Sequence, residues 1–236
     1  MRRMRRQLFR YHIWLGWLVG VPLLLWTVSG LVMVARPIDE VRGSDLRIEQ
    51  SAIPLPGLNP APVLEQIDVP PTVKEIRTFM QRGRPVTMVT RLDGGVTRFD
   101  AANGLAILPL DGQQAREVVA SGIVGGNVIS GTSFFAAENV PLEFRKPVPV
   151  WQVRLADGTH VYVGRDTGEI EAVRTRFWRF YDVMWGLHIM DLQEREDTHH
   201  PVLIAFTAIA ALATVLAVLL MIARYAPRRR LKPRAE

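Results

Sequence analysis

The sequence predicts a membrane protein with an α+β extramembrane domain set between two transmembrane helices. Three observations predict it. Residues 13–35 and 201–223 are two runs without a charged side chain, and a helix of that length crosses a hydrocarbon core of about 30 Å. Basic residues crowd the outer flank of each run. Between the runs, an Asp-Gly pair followed ten residues later by a second turn glycine occurs twice, the mark of repeated strand–turn–strand units.

The first run justifies a spanning helix. Only a helix crosses a bilayer alone, because each backbone N–H and C=O must be paired internally. Trp14 and Trp17 stand near its start, where amphipathic rings favour the headgroup level. Pro22 and the glycines at 16, 20 and 30 are poor in soluble helices but common in membrane ones. The run exceeds the core of a signal peptide and no small-x-small site follows it, so it reads as an uncleaved anchor.

Charge sets the orientation. The chain has 236 residues, with 29 Lys and Arg against 23 Asp and Glu. Eleven of those basic residues and one acidic residue lie in residues 1–12 and 224–236, which leaves the middle net negative. A basic excess confined to the flanks is the positive-inside pattern and places both termini in the cytoplasm. It also removes the nucleic-acid reading that a net charge of +6 would invite. With no cysteine, disulfides, thiolate metal sites, iron–sulfur clusters and covalent c-type haem are excluded.

Residues 36–62 are polar and end in a proline-rich stretch, which predicts an extended linker. Two units follow, 63–110 and 111–174. Asp93-Gly94 matches Asp157-Gly158, and Asn103-Gly104 matches Thr167-Gly168, all at an offset of 64. Strand-like runs from Val86 and Val148 precede the Asp-Gly turns. In the second, Trp151, Val153 and Leu155 alternate with polar residues, so one face is expected to be buried. An earlier strand is expected at 73–80, with a counterpart near 140–144, and short helical leads at 63–67 and 113–121. The stretch 122–137, rich in Gly, Ser and Asn, reads as a loop inserted in the second unit. His160 is expected to be exposed on its strand. No catalytic constellation is legible in this region.

The order strand, Asp-Gly turn, strand, then Asp166-Thr167-Gly168-Glu169-Ile170, preceded by a helix, resembles a PepSY domain. The second unit is the closer match, and the first carries Ala101-Ala102-Asn103-Gly104 in place of the Asp-x-x-Thr-Gly turn. The resemblance implies tandem helix-plus-antiparallel-meander units with a binding or inhibitory role.

Residues 175–198 hold an aromatic helix and a charged break. Trp178, Tyr181, Trp185 and His188 fall on one helical face, as in an interfacial amphipathic helix. Asp197 or Thr198 is placed to cap the second span, 201–223, before the basic tail 224–236.

The whole pattern, from the Arg-rich start with His12 to the terminal span, resembles PepSY-associated transmembrane proteins. That resemblance implies a bacterial inner-membrane protein with a periplasmic central domain, related to membrane ferric-siderophore reductases that carry haem b. It offers two functions. One is a periplasmic module that binds or regulates a partner protein, accessory to iron-siderophore uptake. The other is haem-b electron transfer to ferric iron, with His12, His188, His199 and His200 as candidate ligands and no metal site besides. His12 lies at the inner edge, and His199 and His200 at the outer edge, so these cannot share one iron across a span of about 30 Å. His188 pairing with His199 or His200, or a homodimer bringing two copies of His12 together inside and two of His200 outside, remain as arrangements. Expected partners are the lipid bilayer, a periplasmic protein or iron-uptake component, and a second copy of the chain; nucleic acid is not among them.

Overall fold

The computed structural model describes residues 2–49, 53–57 and 72–225. The expected helical lead at 63–67, part of the linker and all but the first two residues of the basic tail lie outside those residues. The chain divides into two units. One draws on both ends, up to Arg36 and from Phe180 onward; the other is Pro37–Arg179.

The helical unit contains α1 (Arg2–Val34) and α5 (Pro201–Tyr225). Within them, Phe9–Val34 and Pro201–Tyr225 are long and apolar enough to cross a membrane. Their apolar side chains are not spent on a protein core: 11% of the α1 window and 0% of the α5 window are buried. Pro22 sits inside α1.

The central unit is α+β. After the short helix α2 (Ile38–Arg42), strands β1 (Val73–Gln81), β2 (Arg84–Arg91), β3 (Val96–Asp100) and β4 (Ala106–Ile107) form one antiparallel sheet in chain order. Helix α3 (Gly112–Gly122) follows. Strands β5 (Ile129–Phe135), β6 (Val150–Leu155), β7 (His160–Gly164) and β8 (Ile170–Arg174) form the second sheet, also in chain order. Helix α4 (Arg176–Ile189) then begins in the central unit and ends in the helical one.

The offset of 64 is a structural repeat. Val86 pairs Asp100 as Val150 pairs Gly164, and Thr90 pairs Val96 as Arg154 pairs His160. Gly94 and Gly158 both have φ of 84°, a conformation that favours glycine. In each turn the Asp carboxylate accepts from the backbone two residues on, Asp93 from Gly95 N–H and Asp157 from Thr159 N–H, both at 2.8 Å. The first strands match at a different offset: Val73 pairs Arg91 as Ile129 pairs Leu155, with the same irregularity one residue later. That offset is 56, so the second unit carries eight extra residues between its first two strands.

Two expectations are corrected here. Residues 122–137 are not a loop, because Ile129–Phe135 is β5, and the strand expected near 140–144 is instead a loop with a turn at 142–144, just after a 3₁₀ turn at Ala137–Asn139. The Gly and Ser of β5 hid its period. The expected meander of about three strands has four, because β4 and β8 each add one after the second turn glycine.

The second sheet is covered on both faces, not one. On one face α3 lays Ala115, Val118 and Val119 against Val153, Leu155, Val161 and Val163. Asp111 caps this helix in a reciprocal box with Gln114. On the other face the loop after β5 packs Phe144, with Val140 and Val148, onto Val150, Tyr162 and Ala172. The first sheet has a smaller centre, Val89 with Val73 and Phe99.

Candidate functional site

In the central unit, the two sheets are joined by one buried cation. Arg98 of β3 is only 5% exposed. Its Nε donates to Asp166 O at 2.8 Å, Nη1 to Gln81 Oε1 at 3.0 Å and Nη2 to Leu108 O at 3.1 Å. Gln81 in turn donates to Thr167 O at 2.9 Å. A Cβ on Gly168 would stand 2.5 Å from Arg98 Nη1, so the glycine of the Asp-Thr-Gly turn admits the guanidinium as well as supplying φ of 68°. Burial draws the Arg98 pKa down from its ordinary value, and Asp166 opposes that shift.

A cleft of about 440 Å³ opens beside this junction. The end of β1 (Phe79) with the turn after it (Arg82), the end of α3 (Val118) and the turn into β8 (Glu169, Ile170) line it. Arg47 adds a second cation. Arg77 holds Glu169 at 2.9 Å and Arg82 holds Glu117 at 3.1 Å, so exposed ion pairs frame the opening. β1 is an edge strand, and Glu75 and Ile76 on it are exposed.

On the opposite face of the second sheet, Glu143 gathers a polar cluster. His160 Nδ1 donates to Glu143 Oε1 at 2.6 Å, and Tyr162 O–H donates to the same oxygen. Gln152 Nε2 donates to Tyr162 Oη at 2.7 Å, and Arg174 Nε to Glu143 O at 2.7 Å. Burial raises the Tyr162 pKa, and its bond to Glu143 adds to that shift. Tyr162 therefore acts as a neutral donor. His160 is half-buried and engaged, not the exposed residue expected from alternation. Tyr162 occupies the repeat position of Arg98. At that position one unit holds its neighbour's turn and the other holds its own covering loop.

In the helical unit, His188 is fixed against α1. Its ring stacks on Trp26, with centroids 4.7 Å apart and planes 13° from parallel. Nδ1 lies 3.1 Å from Trp26 O and 3.1 Å from Ser29 Oγ. A carbonyl only accepts, so in this contact Nδ1 is the donor, and Nε2 takes no part in it. Gly30 allows the approach, since a Cβ there would be 3.1 Å from His188 Cε1.

The other candidate histidines lie elsewhere. His12 lines a cavity of about 830 Å³ between the start of α1 and the end of α5. His199 and His200 precede the first turn of α5. His12 Nδ1 and His200 Nδ1 are sealed from solvent without a hydrogen-bond partner among the described residues. His12 and His200 flank opposite ends of the helical pair. Among the described residues no hydrogen bond or ring contact joins His188 to His199 or His200, and no group of three metal-ligating side chains forms.

The charged break after α4 is an ordered loop. Asp191 accepts four backbone N–H groups: Gln193 and Glu194 on Oδ1, Glu196 and Asp197 on Oδ2, at 3.1–3.2 Å. Arg195 folds back onto buried Asp182 at 2.7 Å, and Trp185 Nε1 donates to Arg195 O at 2.9 Å. Asp197 accepts from His199 N–H at 2.8 Å just short of α5. Sequence reasoning passed over Asp191, Asp182 and Arg98. None of the three carried a local signal, since each sits among other charged residues along the chain. No family model, no curated protein and no solved structure matches this chain.

Proposed function

We propose that α1 and α5 anchor the chain in the inner membrane of a bacterium with both termini in the cytoplasm. The central unit stands in the periplasm as a PepSY-like module that binds or regulates a partner protein, accessory to iron-siderophore uptake. The cleft beside the Arg98 junction carries this reading. It lies at the end of an exposed edge strand, where an extended segment of a partner can add main-chain hydrogen bonds. Its cations at Arg47 and Arg82 and its apolar wall at Phe79, Val118 and Ile170 give it side-chain selectivity. Photo-cross-linking in iron-limited cells tests it. A cross-linker at Ile76 is expected to trap one defined protein, and Arg82→Glu is expected to abolish the product. A cross-linker at Leu142, on the far loop, is expected to trap none. Equal products from both positions, or a product unchanged by Arg82→Glu, would overturn the assignment.

A second reading has one specific observation in its favour. The bond of His188 Nδ1 to Trp26 O leaves Nε2 as the ring nitrogen to ligate a metal, as hydrogen bonds to the far ring nitrogen do for metal-bound histidines. In that reading haem b supplies electron transfer to ferric iron, and Ser29 and Trp26 orient the ligand. Oxidised and dithionite-reduced absorbance spectra of the detergent-purified chain decide it. A Soret band lost in His188→Ala supports haem binding; haem retained in single alanine variants of His12, His188, His199 and His200 rules these ligands out.

A further inference from the structure

The cavity at the end of the helical unit has a composition that neither reading uses. Arg6, Arg10 and Arg224 line it, and among the described residues no carboxylate does. Arg6 and Arg10 stand one turn apart on α1, where like charges repel. None of the three makes an ion pair among the described residues. His12 Nδ1 is sealed from solvent beside them without a hydrogen-bond partner among the described residues. Phe9, Leu220 and Met221 supply an apolar wall.

A separate groove lies further along α1. Ile13, Gly16, Gly20 and Leu24 line this groove of about 490 Å³. They extend the stripe of Arg6 and Phe9 at steps of three and four residues. Apart from chain neighbours and the helix's own backbone, no heavy atom of the described residues lies within 4 Å of where a Cβ on Gly16 or Gly20 would be. From Ile13 to Leu24 the helix rises about 16 Å, close to half of a hydrocarbon core of about 30 Å. The groove is as long as one leaflet's acyl chain.

We infer that this end of the helical pair holds one anionic phospholipid, its phosphate among Arg6, Arg10 and Arg224 and one acyl chain in the groove at Gly16 and Gly20. The assignment rests on α1 and α5 spanning a membrane. Basic pockets between spanning helices on the cytoplasmic side suit anionic headgroups. Charge complementarity selects the headgroup, and the glycines select the chain.

Native mass spectrometry of the full chain in detergent tests this, after its retention in carbonate-washed membranes has been checked. Release by carbonate would refute the membrane reading itself, and retention leaves the lipid assignment to be tested alone. Palmitoyl-oleoyl phosphatidylglycerol is expected to bind at one copy per chain and about ten-fold or more tighter than the phosphatidylcholine of the same chains. Inorganic phosphate is expected not to displace it. Joint replacement Arg6→Gln, Arg10→Gln and Arg224→Gln is expected to erase the preference. Gly20→Leu is expected to weaken the long-chain lipid while leaving dihexanoyl phosphatidylglycerol unaffected. Several results would overturn the assignment. These are equal binding of the two long-chain lipids, a preference that survives the triple variant, and displacement by phosphate alone. A haem spectrum lost in His12→Ala, or a dimer broken by Gly20→Leu with lipid binding unchanged, would overturn it as well.

Discussion

Arg98 shows how one side chain can hold two repeated units together. It is nearly sealed from solvent, yet each of its nitrogens has a partner. A buried charge is tolerated only when it is bonded in this way. Arg98→Met keeps much of the volume but strands Asp166 O, Leu108 O and Gln81. We expect it to destabilise the central unit by about 3 kcal/mol, since bonds to a charged group contribute about 1.5–3 kcal/mol each and removal leaves buried acceptors unpaired. Urea denaturation reads the loss. A change below about 0.5 kcal/mol, the scale of a neutral surface substitution, would show that the junction is held by other contacts. Neither Arg98 nor Glu143 was visible in the sequence, because a charge on an alternating strand reads as solvent-facing. What made them interior was the neighbouring turn in one case and the covering loop in the other, and both are tertiary. His160 was misjudged for the same reason: its strand face is covered by residues 140–148, which alternation within the strand cannot report.

At the scale of elements, most of the α+β repeat was legible because turn chemistry is local. The Asp-Gly pairs fixed two hairpins, and the constant offset of 64 predicted the shared register of the second and third strands. The first strand of the second unit was missed. β5 is built of Ile-Ser-Gly-Thr-Ser-Phe-Phe, where small polar residues conceal the alternation, and an eight-residue excess then shifted its alignment with β1. The helix α3 matches the lead expected at 113–121, and its Asp111 cap with Gln114 forms a box. The loop joining α4 to α5 was read as a break because its order comes from backbone bonds to one carboxylate. Partial burial raises the Asp191 pKa, but four backbone N–H bonds outweigh it and hold the group below the ordinary aspartate value. A carboxylate with a depressed folded pKa stabilises above its unfolded pKa and loses that contribution as pH falls through the folded value. The loop is therefore expected to stay ordered from neutral pH down to about pH 4 and to loosen below it. Amide shifts of Glu194 and Glu196 should titrate together with a midpoint under the ordinary aspartate value, and Asp191→Asn should remove that transition. A shared midpoint above about pH 4 would contradict the bonding.

For the whole molecule, charge and hydropathy tell a consistent story along the chain. Two helices with uncharged runs at 13–35 and 201–223 carry their apolar residues outward, basic residues flank those runs, and the segment between is net negative. An aqueous fold would bury such helices, whereas a bilayer accepts them as they are. The candidate histidines fit this frame without forming one site. His188 is tied to α1 from within the helical unit, His12 belongs to a cavity at one end, and His199 and His200 lie at the other. The sequence could list them but could not show which ring nitrogen was engaged, because that depends on Trp26 O and Ser29. The lack of native cysteine makes the orientation directly measurable. Gln7→Cys and Leu92→Cys place single thiols on exposed positions at the start of α1 and in the first Asp-Gly turn. Labelling intact cells with a membrane-impermeant maleimide tests whether the central unit is held outside the cytoplasm by a two-helix anchor. Labelling of Leu92→Cys in intact cells, with Gln7→Cys labelled only after lysis, is the predicted result. Labelling of Gln7→Cys in intact cells, or protection of Leu92→Cys until lysis, would contradict it.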